Sequence, residues 1–191
     1  MATEPQRRWA KIPPRELIRR RFFPDVVLRT HDGRQVRFYS DLIKDRIVTI
    51  NFMYAGCTGV CVPTTANLLQ VQQLLGRRVG RDVFMYSLTL KPEVDTPQVL
   101  RAHARMHGCK PGWTFLTGAA ENLELLRQKL GFTSPNAAED LDKANHVGMV
   151  RVGNERLQLW MACPGTARPA AIAKAIAWVD GPRTRPKRNE G

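Results

Sequence analysis

The sequence of 191 residues predicts an α/β protein with a central mixed β-sheet flanked by helices. First, the run Ile47–Tyr54 (IVTINFMY) is continuously apolar or β-branched, which is typical of a strand buried on both faces. Second, strand-like and helix-like patterns alternate after this run. Third, a hairpin pattern lies near each end of the chain. With 43% hydrophobic residues, we expect one domain with a real core.

An N-terminal β-hairpin is the first predicted element. Val26–Arg29 and Gln35–Phe38 are strand-like, and the intervening His31-Asp32-Gly33 supplies a glycine-containing turn. The central strand follows. The later elements are, in order, a helix over Pro63–Leu75, a strand over Val83–Leu90, a helix opened by Asp95-Thr96-Pro97, a strand over Trp113–Leu116, a helix over Ala120–Leu130, a hairpin of His146–Val152 and Leu157–Ala162 around Gly153-Asn154, and a helix over Pro169–Val179.

The net charge of +13 is concentrated at the two ends of the chain. Residues 1–21 hold seven Lys/Arg against two Glu, and residues 181–191 hold four against one. We therefore expect a basic flexible N-terminal segment (1–21), a folded domain (22–180) and a basic C-terminal tail (181–191). Aromatic residues do not interleave with the basic ones, so no nucleic-acid partner is expected. Arg19-Arg20-Arg21 suits contact with an anionic membrane surface.

No signal peptide is visible at the start of the chain. The longest uncharged apolar-rich run, Ile47–Tyr54, is too short to cross a bilayer.

Two of the four cysteines carry the strongest chemical motif, a C-x-x-x-C formed by Cys57 and Cys61 between the buried strand and a helix. Loops at the carboxyl ends of strands hold ligands in α/β sheets, and a helix N-terminus stabilises a thiolate. Two such thiolates either form a disulfide or bind one soft metal ion, and the motif alone does not choose between them. We expect Cys163 to be a structural free thiol and Cys109 an exposed loop thiol.

His146 is the candidate third ligand, because it lies between an acidic loop and an apolar strand. A structural or exposed role for this histidine stays open. Two cysteines and one histidine would make a soft trigonal site that suits copper, especially Cu(I), with an open fourth position.

The order and spacing of five motifs make the segment Phe22–Val179 resemble the Sco/SenC family of thioredoxin-like copper proteins, which support assembly of the copper centre of cytochrome c oxidase. The motifs are NFMYAGCTGVC (Asn51–Cys61), DTPQVL (Asp95–Leu100), GWTFLTG (Gly112–Gly118), LLRQKLGF (Leu125–Phe132) and NHVGMV (Asn145–Val150). The resemblance implies a thioredoxin-like fold, copper as Cu(I) or Cu(II), and a metal site made of Cys57, Cys61 and His146. The chain departs from the family pattern at Val62, at Lys91-Pro92 and at Asn145.

By this resemblance, the expected function is that of a copper metallochaperone that delivers copper to, or matures, the copper centre of a respiratory oxidase. The expected partners are an apo-protein copper acceptor, such as an oxidase subunit, and a thioredoxin-like reductant. The expected location is the periplasm or a membrane surface facing it. An alternative is a thiol–disulfide oxidoreductase or peroxidase-like enzyme with Cys57 as nucleophile and Cys61 as resolving thiol. A sensor of redox state or copper status is a third. A chaperone is favoured over an enzyme, and the question stays open.

Overall fold

A seven-stranded mixed sheet organises the chain in the computed structural model, which describes residues 13–136, 140 and 148–181. Its spatial order is β2-β1-β5-β4-β3-β6-β7. Strands β3, β4 and β5 are parallel, and the remaining pairs are antiparallel, which confirms the predicted mixed sheet and N-terminal hairpin. The strands are β1 Val27–Thr30, β2 Gln35–Arg37, β3 Ile47–Met53, β4 Val83–Thr89, β5 Trp113–Gly118, β6 Met149–Asn154 and β7 Leu159–Pro164.

Within the described ranges, the sheet is accompanied by the α-helices α1 Pro14–Phe22, α2 Cys61–Leu75, α3 Pro97–Met106, α4 Ala120–Lys129 and α5 Pro169–Asp180. A π-helical turn spans Phe38–Ile43, and a short 3₁₀ turn spans Gly76–Arg78. No helix within the described ranges is long and apolar enough to cross a membrane.

Helices cover both faces of the sheet, as the sequence predicts. On one face, α3 places His103 against the ring of Phe115, and α5 accepts a hydrogen bond from Asn154 at Val179. On the other face, Phe132, just after α4, packs against Phe52 with ring centroids 4.9 Å apart. The central strand β3 is therefore enclosed from both sides, and six of its seven residues are buried.

The N-terminal helix α1 differs from the sequence prediction, because most of it lies inside the segment 1–21 predicted as flexible. Arg15 donates from Nε to Glu155 at 2.9 Å and also pairs with Asp45 at 2.7 Å. Glu155 is 1% exposed and accepts a further hydrogen bond from the Tyr39 hydroxyl. A long-range ion pair thus fixes a helix that the sequence analysis assigns to the tail.

The turn of the C-terminal hairpin also lies later than predicted. Gly153 and Asn154 belong to β6, and the turn is made by Glu155–Gln158. Gly153 is required there by close packing, since an added Cβ would stand 2.0 Å from a ring carbon of Trp160.

The buried side chain of His103 should make the folded protein less stable in acid. It is 8% exposed, neither ring nitrogen has a hydrogen-bond partner among the described residues, and burial, followed by the charge of His107, lowers its pKa to about 4. The folded state therefore binds fewer protons than the unfolded state between pH 6.5 and 4. The free energy of unfolding consequently decreases as the pH is lowered across this window. We expect His103 to account for about 2 kcal/mol between pH 7 and pH 5.

Urea unfolding at a series of pH values measures this contribution. His103→Phe should remove it, whereas His107→Gln should retain most of it, because burial is the larger cause of the shift. An unchanged pH slope in the His103→Phe protein would contradict the assignment.

Candidate metal centre

Cys57 lies in the connection between the central strand β3 and helix α2, and Cys61 lies at its end, as the sequence predicts. The backbone N–H of Cys57 donates to the Tyr54 carbonyl at 3.1 Å, which turns the chain sharply after β3. Cys61 is the first residue of α2. The two side chains are 8% and 4% exposed, neither is in a disulfide, and they are hydrogen-bonded to each other. The structure therefore brings the two predicted sulfur ligands together.

The electrostatics of the two thiols are unequal. Burial raises the pKa of Cys57, but several donors outweigh it. The Cys61 thiol and the Cys61 backbone N–H donate to its sulfur, and the Gly59 N–H and the Tyr54 hydroxyl add two more hydrogen bonds. The pKa of Cys57 is consequently below its ordinary value. Burial, with the donated hydrogen bond, raises the pKa of Cys61 to about 12. Cys57 is therefore the sulfur that carries negative charge first.

Asp95 holds this loop in place, whereas the sequence analysis placed it only at the start of a helix and in the DTPQVL motif. Its buried carboxylate, 1% exposed, accepts the Ala55 N–H at 3.1 Å and the Thr89 hydroxyl at 2.5 Å. The cap itself is Thr96, whose hydroxyl accepts the Val99 N–H. The sequence shows only an acidic residue before Thr96-Pro97, and it does not show that this residue is buried.

The segment that follows the third candidate ligand lies against the cysteine loop, which we define as residues 54–61 between β3 and the start of α2. Gly148 lies against Val60, since an added Cβ would stand 2.3 Å from a Val60 methyl carbon. The Gly165 N–H bonds the Gly148 carbonyl at 2.8 Å, and Gly165 in turn packs on Thr64 of α2. His146 itself lies outside the described residues. Gly148, two positions later in the sequence, is placed beside the cysteine loop.

The other two cysteines have their own surroundings. Cys163 contacts the Val150 carbonyl at 3.7 Å, and burial raises its pKa. Cys109 is half-buried, not exposed as predicted, because its side chain packs against the core, and burial raises its pKa to about 11. Within the described part of the chain, no three His, Cys, Asp or Glu side chains are grouped to hold a metal ion.

A protein-family model described as SCO1/SenC matches residues 19–180. Among curated proteins, a "SCO1 protein homolog" from Bacillus subtilis (strain 168) is 28% identical over 95 residues, which cover 49% of this chain and 48% of that protein. The match thus spans about half the length of that relative.

Solved structures share the fold. A SCO1/SenC family lipoprotein from Bacillus anthracis str. Ames superposes with a TM-score of 0.65 at 18% identity, covering 81% of this chain and 92% of that one. Arabidopsis thaliana ScoI with copper bound superposes with a TM-score of 0.63 at 16% identity, covering 80% and 93%. The predicted fold class is confirmed by these likenesses.

Proposed function

Because the chain belongs to the SCO1/SenC family, we propose that it is a copper-binding assembly factor that delivers copper to, or matures, the copper centre of a respiratory oxidase. The observation that carries the proposal is the pair of buried thiols, Cys57 and Cys61, which form no disulfide and are hydrogen-bonded to each other at the start of α2. Thiolates are soft ligands and favour Cu(I) over hard cations.

The pair fits copper cargo by its chemistry and by its surroundings. The pKa of Cys57 is already below its ordinary value, and metal binding would displace the proton of Cys61. We propose His146 as the third ligand, supported by the contact of Gly148 with Val60 on the cysteine loop. A site with three protein ligands leaves a fourth position for an acceptor's ligand, which transfer of a metal requires.

Metal titration of the fully reduced protein tests the proposal. Native mass spectrometry should show one copper ion per chain, displaced only by a strong Cu(I) chelator. A protein that binds no copper, or that binds it equally well after both thiols are alkylated, would overturn the proposal.

A thiol–disulfide oxidoreductase is the second candidate, and the unequal pKa values of the two thiols favour it. A low-pKa attacking cysteine beside a high-pKa resolving cysteine is the usual arrangement for disulfide exchange. The Cys57 thiolate would attack a substrate disulfide and release one thiolate. Cys61 would then displace the second thiol, leaving a Cys57–Cys61 disulfide that an external dithiol reduces.

His146→Ala separates the two functions. Imidazole nitrogen suits Cu(II) better than thiolate sulfur does, whereas a thiolate pair can hold Cu(I) without it. The variant should therefore lose about tenfold or more in Cu(II) affinity, with a smaller loss for Cu(I). Reduction of a test disulfide should change little, because both thiols remain. If copper binding stays intact while disulfide reduction collapses, the enzyme is the correct function.

The partners and location are parts of the same proposal. We propose an apo-protein copper acceptor, a thioredoxin-like reductant that keeps the pair reduced, and a location at or facing the periplasm. Contact of the basic N-terminal segment with a membrane surface remains a proposal. Arg19 and Arg20 both bond the Glu16 carboxylate, so helix α1 presents less net positive charge than its three consecutive arginines indicate.

A further inference from the structure

We propose that Lys91 is a positioning residue that, across the ring of Tyr54, biases the cysteine pair toward Cu(I) over Cu(II). The inference rests on the proposed copper-binding function and assigns a role to a residue that does not touch the metal ligands.

Tyr54 links the lysine to the site. The Lys91 ammonium nitrogen lies 4.1 Å from the centroid of the Tyr54 ring, and the Tyr54 hydroxyl donates to the sulfur of Cys57. The Tyr54 ring is 9% exposed, so the side chain between the two groups is buried, and Lys91 itself is half-buried. Because both groups contact one tyrosine side chain, ammonium and sulfur lie within about one Debye length, ~10 Å, of each other.

The backbone around Lys91 is fixed by the same contacts that hold the cysteine loop. The Lys91 N–H donates to the Thr89 hydroxyl oxygen at 2.9 Å, and that hydroxyl donates to Asp95. The Lys91 carbonyl accepts the N–H groups of Val94 and Asp95. The ammonium is therefore attached to a constrained turn. Of the described residues, none places a carboxylate within ion-pair distance of it.

The charge of the bound cargo decides the direction of the effect. Two thiolates give a Cu(I) site a net charge of −1 and a Cu(II) site a net charge of zero, and a neutral imidazole changes neither. A fixed cation stabilises the anionic site more. The nearby Asp95 carboxylate acts in the opposite direction, but it already accepts the Ala55 N–H and the Thr89 hydroxyl.

Competition titrations with Cu(I) and with Cu(II) test the bias. We expect Lys91→Met to weaken Cu(I) binding by about fivefold relative to Cu(II) binding, and Lys91→Arg, which keeps the charge, to retain the wild-type ratio. A ratio that is equal in the wild type and Lys91→Met would overturn the inference. So would an Lys91→Arg protein that behaves as Lys91→Met does.

A second measurement needs no copper. Iodoacetate and iodoacetamide both alkylate Cys57, forming a sulfur–carbon bond and releasing iodide, but only iodoacetate is an anion. Their rate ratio, read by mass spectrometry of the Cys57 peptide, reports the local positive charge and cancels differences in thiolate content. Lys91→Met should lower this ratio about twofold or more, and Lys91→Arg should preserve it.

The two measurements keep the inference separate from the function on which it rests. A wild-type protein that binds no Cu(I) would overturn the proposed function. A wild-type protein that binds Cu(I), with an alkylation ratio that does not respond to Lys91→Met, would overturn the role of Lys91 alone.

Discussion

Replacing either Cys57 or Cys61 by serine should lower Cu(I) affinity by more than about a hundredfold, which exceeds the usual loss from removing a residue behind a metal ligand. A serine hydroxyl is nearly isosteric with the thiol but is a poor ligand for Cu(I). Both sulfurs are buried and hydrogen-bonded to each other, so a bound ion would contact both. Competition against a chromophoric Cu(I) chelator measures the loss.

The chain supplies matched controls for this result. Cys109→Ser and Cys163→Ser make the same atomic change at half-buried thiols, and both proteins should bind Cu(I) with wild-type affinity. Unchanged Cu(I) affinity in Cys61→Ser, or an equal loss in Cys163→Ser, would place the metal elsewhere.

Gly148→Ala should weaken copper binding by about tenfold or more, although it changes no ligand. The added Cβ would stand 2.3 Å from a Val60 methyl carbon, so either the cysteine loop or the chain leading from His146 must move. Gly148 does not have a positive φ, so its backbone tolerates alanine and only this contact excludes it. Cu(I) and Cu(II) titrations of the variant measure the loss.

The double variant Gly148→Ala with Val60→Ala tests whether the contact with Val60 causes the loss of copper affinity. Removing the methyl carbons of Val60 should make room for the new Cβ and restore copper affinity to within about threefold of the wild type. Val60→Ala alone should bind copper normally. If the double variant binds no better than Gly148→Ala, the packing of Gly148 on Val60 does not position the site.

Local patterns were sufficient to predict the sheet and the place of the cysteine pair. The β-branched and aromatic run Ile47–Tyr54 indicates a buried strand, and the helix predicted after it indicates where Cys57 and Cys61 lie. Strand boundaries for β3, β4 and β5 agree with the sequence patterns to within about two residues, because their apolar residues are unbroken by turn formers.

Contacts between distant parts of the chain could not be predicted in the same way. Helix α1 is stabilised by Arg15 bonding Glu155, 140 positions away, and a run of arginines by itself resembles a solvated tail. Asp95 and Lys91 act on the cysteine loop from the connection after β4, 30 or more positions along the chain. The role of each depends on burial or on a partner that no local pattern displays.

The ion pair of Arg15 with Glu155 also places the start of helix α1 at one end of the central strand. Glu155 follows Asn154, which pairs with Ile47 at the first residue of β3, whereas Cys57 lies beyond the last residue of that strand. The two positions are separated by the length of β3, about 20 Å. A label attached at the start of helix α1 would therefore lie about one strand length from the thiols, at the opposite end of the sheet.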